Sequence, residues 1–355
     1  MLARGLSFIA VAALALATFL PAARARETVK VGLCVSWPGY AMLEVARQKD
    51  LLAGYDIALT IFEDPSGGHA ALAAGKIDVY ACTADAIPLT VERDDPVVNV
   101  AFTNPSYGVD HILLAPSVKP GDLVGGKVAA PRAYIGQLLM GLWLDSVGIA
   151  PDQVRWINLN ADEAVGPMVS GDIAATYSYE PWVSRVLETL RDARSVIDTA
   201  DPMILKTGIF MDALYMNTSF IEKHRKAALA ILKARWDGLG YWHAHTNETN
   251  ALIATFLRWP LADVVNVIGT DGKSKRDGIY MFDFDEAARM CGVLAGDPPF
   301  GLANGGMPGA VAQTNAWWIK LGLMTNSVAP SKGIDCSLMG DLAAAGYRQS
   351  FGERD

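Results

Sequence analysis

Ala74-Gly75-Lys76-Ile77-Asp78-Val79-Tyr80-Ala81-Cys82 closes a helix and opens a strand, and Ser170-Gly171-Asp172-Ile173-Ala174-Ala175-Thr176-Tyr177 does the same 96 residues later. Outward from the first copy, Lys30-Val31-Gly32-Leu33 reads as a strand. The turn Ser36-Trp37-Pro38-Gly39 follows, and then a helix marked by Met42, Leu43, Val45 and Ala46. Ile57 to Phe62 is a second strand, alternating and β-branched, and Gly67-Gly68 opens the helix that ends at Gly75. The second copy supplies Lys127-Val128-Ala129-Ala130, a helix from Gln137 to Ser146, a strand from Val154 to Leu159, a helix from Glu163 to Ser170 and a strand from Ala174 to Tyr177. Five elements therefore recur in order at an offset of 96 or 97 residues.

Strands alternating with helices imply parallel sheets covered by helices on both faces. Two copies of the unit predict an α/β protein of two similar lobes, with mostly parallel sheets flanked by helices. Past residue 217 the pattern turns helical. Ser219-Phe220-Ile221-Glu222 reads as a capping box, and Ile221, Ala228, Ile231, Leu232, Arg235 and Leu239 follow at helical spacing. Trp259-Pro260 ends the next helix. This C-terminal extension is expected to brace the first lobe.

The first 25 residues read as a cleavable signal peptide, which implies a periplasmic destination. Arg4 gives a basic start, Gly5 to Leu20 is an apolar run, and Ala23-Arg24-Ala25 offers small residues for cleavage. The run falls short of the roughly 20 residues a spanning helix needs. Without Arg4 and Arg24 the chain carries 28 basic and 38 acidic residues, and its only basic run is Lys273 to Arg276, so nucleic acid is excluded as a partner. Four cysteines remain, with no metal-site spacing. Cys291 with Cys336 is the preferred disulfide, while Cys34 and Cys82 sit in strands where buried free thiols are an equal reading. No cofactor is expected.

In such lobes ligands bind beyond the carboxyl ends of the strands, where helix N-termini converge. The rule nominates Ser36, Trp37 and Tyr40, then Ser66 and Gly67, then Thr83 and Asp85 in the first lobe. In the second it nominates Arg132, Tyr134 and Gln137, then Tyr179, Glu180 and Trp182. The aromatic residues suit a small-molecule pocket. Asp85 and Glu180 could hold an ammonium or guanidinium group, and Arg132 a sulfonate or carboxylate.

Taken in order, Ser66-Gly67-Gly68, Ala73-Ala74-Gly75-Lys76-Ile77-Asp78, Ser106-Tyr107-Gly108-Val109-Asp110, Leu123-Val124-Gly125-Gly126-Lys127-Val128-Ala129, Ser170-Gly171-Asp172-Ile173-Ala174 and Glu180-Pro181-Trp182 are similar to the periplasmic binding proteins of the nitrate, sulfonate and taurine ABC importer group, which share a fold with the thiamine-pyrimidine synthase-like domain. The resemblance runs from about Val29 to about Tyr241. It implies a type II binding-protein fold with two crossover segments, placed near Val109 to Ala115 and Gly208 to Asn217. The lobes are then residues 26–108 with 217–355, and residues 109–216. Cys34, Cys82-Thr83 and Met211-Asp212-Ala213-Leu214 most resemble the members linked to urea or guanidine breakdown. That likeness makes Asp85, Asp110, Glu180 and Asp212 candidates to hold a cationic nitrogen compound, whereas a sulfonate ligand would favour Arg132.

The implied function is capture of a small polar nitrogen or sulfur compound by a monomer that delivers it to ABC permease subunits and their ATPase. Two other classes compete. A pyrimidine-precursor synthase-like enzyme shares the fold, but that activity goes with a cysteine-rich iron-binding motif and the cysteines here are dispersed. GxSxG and HExxH motifs are absent, Gly269 to Ser274 lacks the first glycine of a phosphate loop at Val267, and His243 and His245 are spaced to diverge on a helix. A ligand-sensing partner of a membrane receptor is the other reading.

Overall fold

The computed structural model describes residues 26–52, 54–270 and 276–349. The expected signal peptide, residues 1–25, lies outside the described residues. The first lobe opens with β1 (Glu27–Cys34), α1 (Met42–Gln48), β2 (Tyr55–Phe62), α2 (Pro65–Ala73), β3 (Val79–Thr83), α3 (Ile87–Glu92) and β4 (Val97–Tyr107). The second holds β5 (Asp110–Leu114), β6 (Lys127–Ala129), α4 (Ile135–Ser146), β7 (Arg155–Ile157), α5 (Ala161–Ser170), β8 (Ala175–Tyr179), α6 (Trp182–Thr189) and β9 (Arg194–Asp198). The chain returns through α7 (Pro202–Leu205) to β10 (Met211–Asn217).

The sheets are β11-β4-β10-β3-β1-β2, where β11 is Gly278–Ile279, and β7-β6-β8-β5-β9. Without β11 the two orders are the same. In each, four strands run one way and the strand delivered by a crossover, β10 or β5, pairs antiparallel to both neighbours. The sheets are therefore mixed, with the parallel β-α-β repeat intact around one reversed insertion. β3 and β10 are buried along their whole lengths, as their apolar sequences VYACT and MDALYMN require of central strands.

Residues 110–114 and 211–217, within the expected crossovers, are these inserted strands; the links themselves are residues 108–109 and 199–210. Gly108 takes a φ of 94° at the first link, a left-handed conformation that a side chain would strain. Thr199, fully buried, stitches the two links together. Its hydroxyl meets the Ser106 hydroxyl and accepts from the Gly108 N–H at 3.2 Å.

The C-terminal region folds as α8 (Thr218–Lys223), α9 (Arg225–Ala244), α10 (Thr246–Leu257), α11 (Leu261–Ile268), α12 (Phe284–Met290), α13 (Met307–Lys320) and α14 (Ser337–Ala344). α9 packs on α1 and α13 on α3, bracing the first lobe. α13 also reaches α4 of the second lobe, where Lys320 pairs with Asp145 at 2.6 Å. The capping box expected at Ser219 is replaced by Asn217, whose side chain accepts from the Ser219 N–H at 3.0 Å. Cys291 and Cys336 form the preferred disulfide, and Cys34 bonds to Cys82. The buried-thiol alternative for that second pair therefore fails. β1 and β3 run parallel with Val31 opposite Val79 and Leu33 opposite Ala81, a register that brings the two strand ends together.

Candidate ligand-binding cleft

The carboxyl ends of β1, β3 and β8 and the N-terminus of α4 converge on a narrow chamber between the lobes, about 30 Å³ in volume. From the first lobe come Trp37 and Tyr40 on the turn after β1, Thr83 at the end of β3, Asn104 and Ser106 on β4, and Met211 and Asp212 at the start of β10. Asp110 begins β5, Tyr134 precedes α4, and Tyr177 and Tyr179 end β8. β11 adds Ile279. The crossovers thus place two carboxylates, Asp110 and Asp212, at the junction of the lobes.

Asp212 is buried and fully engaged. Tyr40 donates its hydroxyl to Oδ1 at 2.7 Å, and Asn104 donates Nδ2 to Oδ2 at 2.8 Å. Burial nevertheless pushes its carboxyl up to about 6, against the pull of those two donors. Asp110 accepts the Tyr177 hydroxyl at 2.5 Å and is also raised by burial. Burial drives the phenols of Tyr40, Tyr134 and Tyr177 well above their ordinary value, so all three stay neutral donors. Trp37 stands edge-on to Tyr179, ring centres 5.5 Å apart. Among the described residues lining this chamber there is no lysine, arginine or histidine. Aromatic faces and carboxylates on such a wall select for positive charge, with His111 and the buried Arg235 acting on Asp110 and Asp212 only from outside the lining.

A larger compartment of about 980 Å³ adjoins the chamber, and Thr83 and Tyr134 line both. Ser66, Asp85 and Arg132 stand on its walls with His69 and Asn160. Asp85 is buried and its carboxyl is pushed up to about 7, chiefly by burial, with Thr83 and a backbone amide pulling weakly the other way.

A model of the NMT1/THI5-like family matches residues 37–249. The chain belongs to that family. The resemblance carried by the sequence motifs is thereby borne out. Among curated proteins, the taurine-binding periplasmic protein of Escherichia coli K12 is 22% identical over 171 residues, covering 47% of this chain and 51% of the relative. The chain thus spans about half the length of that relative. Among solved structures, the E. coli aliphatic sulphonate-binding protein SsuA superposes with a TM-score of 0.66 at 16% identity, over 87% of this chain and 92% of that one. The nitrate-binding protein NrtA of Synechocystis PCC 6803 gives 0.67 at 15% identity, over 90% and 89%. The desulfurization enzyme DSZB gives 0.59 at 15% identity, over 91% and 100%. At these identities the likenesses establish the fold alone.

In this NMT1/THI5-like chain the nominated residues divide by location. Trp37, Tyr40, Thr83, Asp110, Tyr134, Tyr179 and Asp212 meet in the inner chamber, and Ser66, Asp85 and Arg132 line the outer compartment. Ser36 and Trp182 line a side groove with Trp259. There Ser36 donates to Glu63 at 3.0 Å, and Arg185 lies 4.3 Å over the Trp182 ring. Gly67, Gln137 and Glu180 are absent from all three walls, and residues close to them in the chain claim their polar groups. The Gly67 N–H is donated to the capping Asp64, the Gln137 Oε1 accepts the Ala133 N–H at 2.8 Å, and Glu180 accepts from the Ser184 N–H and hydroxyl. Asn104, Ser106 and Tyr177 escaped the strand-end rule because they lie within strands. The signal for Asn104 and Ser106 was the polar cluster Thr103, Asn104 and Ser106 in β4, whose preceding residues are apolar except for Asn99.

Proposed function

We propose that this protein captures a small cationic nitrogen compound, an amine or guanidine type, in the cleft between its lobes and delivers it to an ABC importer in the periplasm. The observation that carries the reading is the inner chamber: two buried carboxylates among aromatic rings, with no basic side chain among the described residues of its wall. An anion such as nitrate or a sulfonate would meet unfavourable charge there. A cation would complete Asp110 and Asp212 electrostatically and relieve the burial that raises both.

The protein acts as a monomer of two bodies, residues 26–108 with 217–355, and residues 109–216. They close about the links at residues 108–109 and 199–210, and the closed, loaded form docks on the permease. Binding rather than catalysis is the role this geometry favours, because the carboxylates are engaged by fixed neutral donors on rigid strand ends. The names of the taurine, sulphonate and nitrate relatives support the transport role, while the charge of the chamber separates this chain from their anionic ligands.

A thermal-shift screen of the mature protein against guanidinium, alkylamines, urea, nitrate and small sulfonates tests the proposal. A ligand that binds only the folded form raises the melting temperature by mass action. Stabilisation by the cations and not by the anions is the expected result; the reverse pattern refutes the assignment.

A further inference from the structure

We infer that the ligand carries a second nitrogen donor group, which reaches out of the inner chamber into the larger compartment and is held there by Asp85. This rests on the cationic reading of the inner chamber and extends it to a substrate class, diamines and aminoalkyl guanidines.

Asp85 is 1% exposed, yet neither carboxylate oxygen meets a donor in hydrogen-bonding geometry. Its backbone is held firmly while its side chain is left open. Trp318 donates Nε1 to the Asp85 carbonyl at 2.7 Å, and Tyr215 donates its hydroxyl to the Thr83 carbonyl at 2.6 Å. The nearby phenol of Tyr215 is therefore already committed elsewhere. A buried carboxyl without a donor is costly, and folded proteins keep such groups only where something else completes them.

Asp85 lines the larger compartment, and so does His69. His69 is 7% exposed, wedged edge-on between Tyr80 and Tyr215, and its Nδ1 has no partner. Two buried residues with unpartnered polar atoms thus border one space. The walls of that space are acidic on balance, with Asp64, Asp85, Asp95 and Glu163 against Arg93 and Arg132. Arg93 is already paired with Asp95 at 2.8 Å. Because Thr83 and Tyr134 border both compartments, an extended ligand that leaves the aromatic chamber past Thr83 enters the space that Asp85 lines. The inner chamber alone holds little beyond a single small head group, whereas the outer space has room for an extended ligand.

The test is isothermal titration calorimetry of the mature protein with matched pairs, butylamine against putrescine and methylguanidine against agmatine, for the natural protein and Asp85→Asn. In the natural protein the doubly functional ligand is expected to bind at least about tenfold more tightly than its singly functional partner, the equivalent of one charge-assisted hydrogen bond. Asp85→Asn should erase most of that difference within each pair. Equal affinities within each pair would overturn the inference and leave the cationic reading standing. Binding of neither member of a pair would overturn both. The comparison within the natural protein needs no variant, so misfolding of Asp85→Asn would not rescue the idea.

Discussion

Acidification should release a cationic ligand, and the size of the effect follows from Asp212. Burial pushes its carboxyl up to about 6, against the hydrogen bonds from Tyr40 and Asn104. Around it, Asp110 and Asp85 repel its charge and the buried Arg235 attracts it. Guanidinium keeps its charge at every accessible pH, so any pH dependence belongs to the protein. For one essential carboxylate, about a tenth remains ionised one unit below its midpoint, so affinity should fall about tenfold between about pH 7.5 and about pH 5. Calorimetry in buffers of different ionisation enthalpy should also show proton release on binding near pH 6. The sign for the empty protein is opposite. A carboxyl raised above its unfolded value makes the folded state take up protons more readily. The penalty of the buried charge is fully present above about pH 7, and it is relieved as pH falls through the folded value towards the ordinary carboxylate range. This contribution therefore favours the empty protein at about pH 5.5 over about pH 7.5, where the ligand-bound protein gains most. Affinity that stays flat or rises on acidification would refute the reasoning, because the carboxylate would then not be the group that holds the ligand.

Tyr40→Phe removes one of the two donors to Asp212 and should weaken cation binding about tenfold by calorimetry, the worth of a hydrogen bond to a charged group. Gly136→Ala would place a methyl group 2.2 Å from Cδ1 of Tyr177, so Tyr177 must leave its bond to Asp110. A loss of about 1–3 kcal/mol in stability by denaturant titration should accompany the weaker binding. Serine at Cys34 and Cys82 opens a 48-residue loop and should cost about 2–4 kcal/mol. It should also impair binding, because the bond ties the strand ends that carry Trp37 and Thr83; the same change at Cys291 and Cys336 should lower the melting temperature with little effect on affinity.

The architecture was legible because its signal is repeated and local: Gly75 and Gly171 end equivalent helices, and the strands between are short and β-branched. The reversed strands were less legible. Asp110–Leu114 and Met211–Asn217 have no partner near them in sequence and so read as links, although each lies between two strands of a sheet. The Cys34–Cys82 bond belongs to the same class. Its separation of 48 equals the β1 to β3 register, a match that counts only once those strands are known to be neighbours. At the site, residue type alone could not separate Glu180 and Gln137, spent on the chain beside them, from Asp85, which has no such neighbour. What distinguishes them is side-chain direction, and spacing along a loop does not fix it.

The place of β10 has a consequence for the order in which the molecule can be made. It lies between β3 and β4, pairing with both, yet more than a hundred residues of the other lobe are synthesised between β4 and β10. A nascent chain that has produced only residues through Tyr107 therefore has a slot where a fully buried strand belongs, and it cannot complete its first sheet from the N-terminus onward. Such non-local closure slows folding and keeps the unfinished sheet open. The second lobe, whose five strands are contiguous from Asp110 to Asp198, is free to form first. The half of the molecule translated earliest is thus the half finished last.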